Sequence, residues 1–357
     1  MINIKKFVLL LICVNFIPNI SFADPFAERI VAKAQENIKS FTPEILKERR
    51  VNAEWWKSAT PEMVKDMIKS GVDINAKLSF GGNTILMNAV ANNENLAIVD
   101  ILLANGADIN VRNNNGNTAL MIASGNNKNP AVVETLIKHG ADVNTRNEMG
   151  KTALIFACEN DNPDIIKTLI KHGAKIDVQY NDWLNLDGTF NQKSAFELAA
   201  EHNPNPEIIG IFIKEGANVN TKDDKDNTVL SGAVALNKNP AVVETLIKHG
   251  ANVNAKNVFG RTILMSATLN SNPEVIEILM KHGANNINDT DIHGYTALMD
   301  ATIGASSNPE VIDALLNHGA DVKIKNKEGK TALDYAAENP KIYGTDVYWK
   351  LNDLMYK

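Results

Sequence analysis

Cysteine is nearly missing from this chain of 357 residues, which carries only Cys13 and Cys158. With Cys13 inside an N-terminal apolar stretch, no disulfide framework is available, and Cys158 reads as a small buried apolar residue. Long apolar runs are lacking too. The one that stands out, Phe7 to Phe16, is about half the roughly 20 residues a membrane-spanning helix requires. Positive charge is not in surplus: the formal net charge is −6, which offers no attraction to nucleic acid or anionic lipid. Phosphate-cradling glycine loops, His-Glu-x-x-His and recognisable nucleophile settings are absent as well, so the sequence gives no reason to expect catalysis, a cofactor or a metal site.

The first residues have the composition of a signal peptide. Two lysines lie in Met1 to Lys6, an apolar stretch interrupted only by Asn15 follows, and Ser21-Phe22-Ala23 has small residues at both cleavage positions. The expectation is export, to a periplasm or to the outside, with cleavage after residue 23. Lipidation at Cys13 is disfavoured by the bulky Ile12 before it. Cleavage removes Lys5 and Lys6 and no acid, giving a mature charge of −6 − 2 = −8. Residues 24–50 contain AERIVAKAQENIKSF, an amphipathic helical pattern outside the remainder, 51–357.

That remainder is periodic. NKNPAVVETLIKHGA occurs at Asn127 to Ala141 and again at Asn237 to Ala251. A Thr or Ser opens a short helical stretch at Thr84, Thr118, Thr152, Ser194, Thr228, Thr262, Thr296 and Thr331, with spacings of 34, 34, 42, 34, 34, 34 and 35. A glycine closes a longer helix at Gly71, Gly106, Gly140, Gly173, Gly216, Gly250, Gly283 and Gly319. The Thr or Ser hydroxyl, Thr152 included, is placed to cap the first helix. An Asn-Pro pair such as Asn129-Pro130 starts the second, because asparagine accepts from an orphan amide and proline lacks the amide that would be unsatisfied. Val132, Val133, Leu136 and Ile137 then share one face, and Gly140 supplies the left-handed residue that ends the helix. Burying four aliphatics cannot offset the entropy of ordering some 34 residues, so one unit cannot stand alone and neighbours must stack.

These motifs resemble those of ankyrin repeat proteins, and the resemblance runs from about Glu54 to the C-terminus. It implies a mainly α fold: an ankyrin-repeat solenoid of stacked helix-turn-helix units with β-hairpin-like finger loops. About eight full repeats follow a degenerate capping half-repeat in which Trp55 and Trp56 cover the core. At the other end DVYWKLNDLMYK supplies the last second helix, closing the stack with Tyr348, Trp349 and Leu354. The family's Thr-Pro-Leu-His is altered here, since Pro becomes Ala, Ile or Val. The His position holds Met87, Met121, Ile155, Glu197, Ser231, Met265, Met299 and Asp334, which points to apolar contacts replacing its hydrogen bonds in about half the repeats.

Five histidines, His139, His172, His249, His282 and His318, precede closing glycines. Lying about one repeat apart, near 10 Å, they cannot share one ion and read as helix C-terminal groups. Between Gly173 and Ser194 the connector is 21 residues instead of the usual 12 or 13. Its Tyr180, Trp183, Leu184, Leu186 and Phe190 either fold back onto the array or anchor a partner. Gly188 does not bring a calcium-loop ligand set with it.

The resemblance implies binding of another protein through finger tips and the inward face of the short helices. Carried onto this sequence, the contacts are Phe80, Met149, Val258, Phe259, Arg261, Ile292 and Tyr295 on fingers, Glu159, Asn160, Glu201, His202, Leu269 and Asn270 at first-helix ends, and Trp183 and Phe190 on the long finger. The expected role is that of a non-enzymatic scaffold and a monomer. Two other roles stay open: an effector released into a host cell, and an accessory or inhibitor protein capping an enzyme or toxin.

Overall fold

The computed structural model describes residues 53–77, 81–184, 190–304 and 307–357, with backbone alone at 183–184 and 190–191. The expected signal peptide and the 24–50 segment lie outside the described residues.

The described helices fall into nine pairs. Unit 1 pairs α1 (Ala53–Ser58) with α2 (Pro61–Lys69), unit 2 α3 (Ile85–Asn92) with α4 (Leu96–Ala104), and unit 3 α5 (Ala119–Asn126) with α6 (Pro130–Lys138). Unit 4 pairs α7 (Ala153–Ala157) with α8 (Pro163–Lys171), unit 5 α9 (Ala195–His202) with α10 (Pro206–Lys214), and unit 6 α11 (Val229–Leu236) with α12 (Pro240–Lys248). Unit 7 pairs α13 (Ile263–Ala267) with α14 (Pro273–Lys281), unit 8 α15 (Ala297–Thr302) with α16 (Pro309–Asn317), and unit 9 α17 (Ala332–Glu338) with α18 (Asp346–Tyr356). First helices pack on first helices and second on second, unit after unit, so one core runs the length of the stack. The initial unit has a short first helix of its own, and Trp55 and Trp56 are buried in it, edge to face.

Local chemistry explains the regularity. Asn129, Asn162, Asn205, Asn239, Asn272 and Asn308 each accept the amide two residues on, with Pro next in line. The closing glycines have positive φ, 96° at Gly140. Val132, Val133 and Leu136 are fully buried, and Cys158 is sealed in the core, where burial pushes its thiol far above the ordinary range.

Three expectations need correction. Thr152 does not cap its helix, and its Oγ1 is buried without a partner. Ile155, three residues on, is β-branched and offers no acceptor for the reciprocal half of a capping box. The methionines at the family's histidine position do not abandon hydrogen bonding. Sδ of Met87, Met121 and Met265 accepts the amide of Thr84, Thr118 and Thr262 at 3.4 Å, a weak form of the bond that the carboxylates of Glu197 and Asp334 make at 2.7 Å. In α18 the helix forms as expected, but Val347 and Leu351, one turn apart, are the residues it buries, leaving Trp349 and Leu354 exposed.

Asparagines bind the units together. Asn127 donates to the carbonyls of Val90 and Asn93, Asn203 to those of Cys158 and Asn160, and Asn237 to those of Ala200 and Asn203, all in the preceding unit. Each also accepts the amide two residues on. A second series reaches forward: Asn75, Asn144, Asn220, Asn254 and Asn288 donate to the carbonyls of Gly106, Gly173, Gly250, Gly283 and Gly319. Neighbouring units thus satisfy each other's orphan carbonyls at helix ends.

Candidate functional site

Fingers and first-helix ends make up one face. At six of the finger tips an Asn or Asp accepts the amides two and four residues on, as Asn147, Asn257 and Asp291 do. The residue three on has positive φ: Gly150, Gly260 and Gly294 here, and Asp226 (φ 62°) in the finger of Asp223. The turn throws the two intervening side chains outward. Met149, Val258, Phe259 and Ile292 occupy those places and are exposed. Tip backbones join laterally, with Val258 N on Lys225 O at 3.0 Å and Lys327 N on His293 O at 3.0 Å.

The last residue before each unit's junction forms a second row. Glu159, His202 and Leu269 stand there exposed. Two further members went unnoticed in the sequence: Leu236 and Ile303. With Leu269 they place three large aliphatics, 48%, 56% and 38% exposed for Leu236, Leu269 and Ile303, on consecutive units 6, 7 and 8. Their signal was positional, because each lies seven or eight residues after its opening threonine. Together with Val258, Phe259 and Ile292 they give units 6 to 8 an apolar side facing solvent.

Other expected contacts sit inward. Asn160 is buried, donating to the carbonyls of Ser124, Gly125 and Asn127, and Asn270 donates to that of Asn237; both belong to the junction series. Glu201 is 8% exposed. It holds Lys193 Nζ at 2.5 Å, and Asp182 holds the same ammonium at 3.2 Å. Burial disfavours that ammonium, but the bond from Glu201 and the two carboxylate fields keep its pKa above the ordinary lysine value. Arg261 is half-buried, with Nη2 on Asp300 at 2.9 Å and Nη1 near Asp291 at 3.7 Å. Burial raises Asp300 to about 6 against the pull of Arg261. Tyr295 meets the hydroxyl of Tyr335 at 2.9 Å, which receives Asn326 Nδ2 at 2.7 Å. Burial and the bond to Tyr295 push Tyr335 up to about 12.

The long finger is a hairpin of β1 (Gln179–Leu184) and β2 (Phe190–Ser194), antiparallel, with an irregularity between Asn181 and Trp183. Its base folds back: Tyr180 is buried, with Lys151 Nζ 4.7 Å from the ring centroid. The side chains of Trp183 and Phe190, like Phe80, lie outside the described residues. Among the described residues no three His, Cys, Asp or Glu groups converge for a metal, and no helix is long and apolar enough to cross a membrane.

Family models described as ankyrin repeats (3 copies) match residues 55–147, 86–182 and 196–291, and one described as ankyrin repeats (many copies) matches 279–336. Among solved structures, the crystal structure of the human ASB11 ankyrin repeat domain is similar, with a TM-score of 0.54 and 26% identity, covering 66% of this chain and 97% of that one. No curated protein matches.

Proposed function

The chain belongs to the ankyrin repeat family, and we propose that it holds a partner protein on its finger face, centred on units 6 to 8, without catalysing a reaction. Ankyrin repeats are in general protein–protein interaction modules. The observation that carries the placement is the exposure of Leu236, Leu269 and Ile303 at the first-helix ends and of Val258, Phe259 and Ile292 at the finger tips of units 6 to 8. We further propose that the chain is exported, on the strength of the lysines, apolar stretch and small residues in Met1 to Ala23.

The test is capture by the tagged chain and by its Phe259→Ala, Leu269→Ser double variant. A specifically retained protein that the double variant loses supports the reading. Equal retention by both sinks it. Cell fractionation tests export: a cytoplasmic chain retaining residues 1–23 is the adverse result.

A further inference from the structure

A cavity of about 270 Å³ opens on the finger face between the long hairpin and unit 6. Lys193, Glu197, Glu201 and Asp223 line it, together with Gly232 of α11 and Leu269 of unit 7. Three carboxylates therefore face one ammonium, and that ammonium is already shared with Asp182. Glu197 is bonded to the amide and hydroxyl of Ser194, and Asp223 to the amides of Lys225 and Asn227 and the side-chain amide of Asn227. None of these donors is a cation, so the cavity keeps a surplus of negative charge where solvent screening is reduced.

Gly232 sharpens the case. It lies inside α11 without positive φ, where alanine is the better helix former. A Cβ at this position would stand 2.6 Å from Glu201 Oε1. Glycine therefore keeps open the space beside the carboxylate oxygen that Lys193 does not use.

We propose that this cavity receives a lysine or arginine side chain of the partner polypeptide, its cationic head on Glu201 Oε1 and its aliphatic stem against Leu269. The assignment rests on the finger face being the docking surface. It adds a chemical requirement: the partner segment carries apolar side chains for Leu236, Leu269 and Ile303 and a cation at the hairpin end.

The probe is n-butylammonium chloride, the end of a lysine side chain, titrated into the isotopically labelled full chain at constant ionic strength, with n-butanol as control. Saturable shifts of the Ser231 and Gly232 amide resonances with the cation, and none with the alcohol, are expected. Glu201→Gln weakens the cation about tenfold. Gly232→Ala abolishes the response while keeping the helix, so its loss is not unfolding. No saturable shift, or an unchanged one in Gly232→Ala, overturns the proposal. Partner capture that fails with Leu269→Ser yet ignores Glu201→Gln and Gly232→Ala overturns the cavity and leaves the face. Butylammonium binding with capture indifferent to all three overturns the face and the partner cation with it.

Discussion

The amide of Ile292 donates to the carbonyl of Phe259 at 2.9 Å, so two finger tips of adjacent units are fixed side by side through their backbones while both side chains remain in solvent. Backbone holds the geometry here, and side chains are free to recognise. Phe259→Ala is therefore expected to leave stability within about 0.5 kcal/mol in urea denaturation. Partner capture falls about tenfold or more. A large loss of stability would mark Phe259 as core.

The junction asparagines carry the opposite expectation. Asn237→Ala strips a partner from the carbonyls of Ala200 and Asn203 and from the amide of Asn239. A cost of about 3 kcal/mol follows from three buried or half-buried bonds at about 1 kcal/mol each. Because stability in a stack is a sum of units and interfaces, the loss is localised between units 5 and 6. Hydrogen exchange should show faster opening on both sides of that interface and little change in units 1 to 3.

Thr152 and Thr262 occupy the same place in their units, but Thr262 Oγ1 accepts the amide of Met265 at 3.2 Å while Thr152 Oγ1 is buried alone. The isosteric Thr262→Val should cost about 1 kcal/mol. Thr152→Val should be neutral or stabilising, since it removes a desolvated hydroxyl that has no partner. Denaturation midpoints moving together would refute the distinction.

Asp300 gives a pH dependence of definite sign. Its folded pKa, about 6, lies above the roughly 3.9 of an unfolded aspartate. Between those values the folded chain binds the extra proton, so this group's contribution is full below about pH 4 and is lost as pH rises through about 6. The swing is on the order of 3 kcal/mol. Asp300→Asn should flatten the stability curve between pH 4 and 6 relative to the parent, and an unchanged slope would refute it.

The sequence disclosed the units because their punctuation is local. A capping hydroxyl, an Asn-Pro start and a left-handed glycine each act within a few residues. The tips were legible for the same reason, as Val258, Phe259 and Ile292 lie between a turn-closing residue and its glycine. What eluded it was contact beyond the neighbouring turn. Asn160 and Asn270 look like solvated junction residues until the carbonyls of the preceding unit come within reach, and Glu201 looks like a surface acid until the hairpin brings Lys193 to it. Leu236 lies eight residues after its opening threonine, one beyond the seven of Leu269, which hid it, whereas Ile303 shares the spacing of seven and was legible there.

Asparagines in this stack reach both backward and forward, so five of the eight internal boundaries are fastened from their two sides. A cut that removes half a unit strands donors on one flank and acceptors on the other, whereas excising a whole hairpin with its finger lets the flanks rejoin like for like. Such a molecule changes length only in whole modules, and the identical fifteen residues at Asn127 and Asn237 are interchangeable parts of that kind.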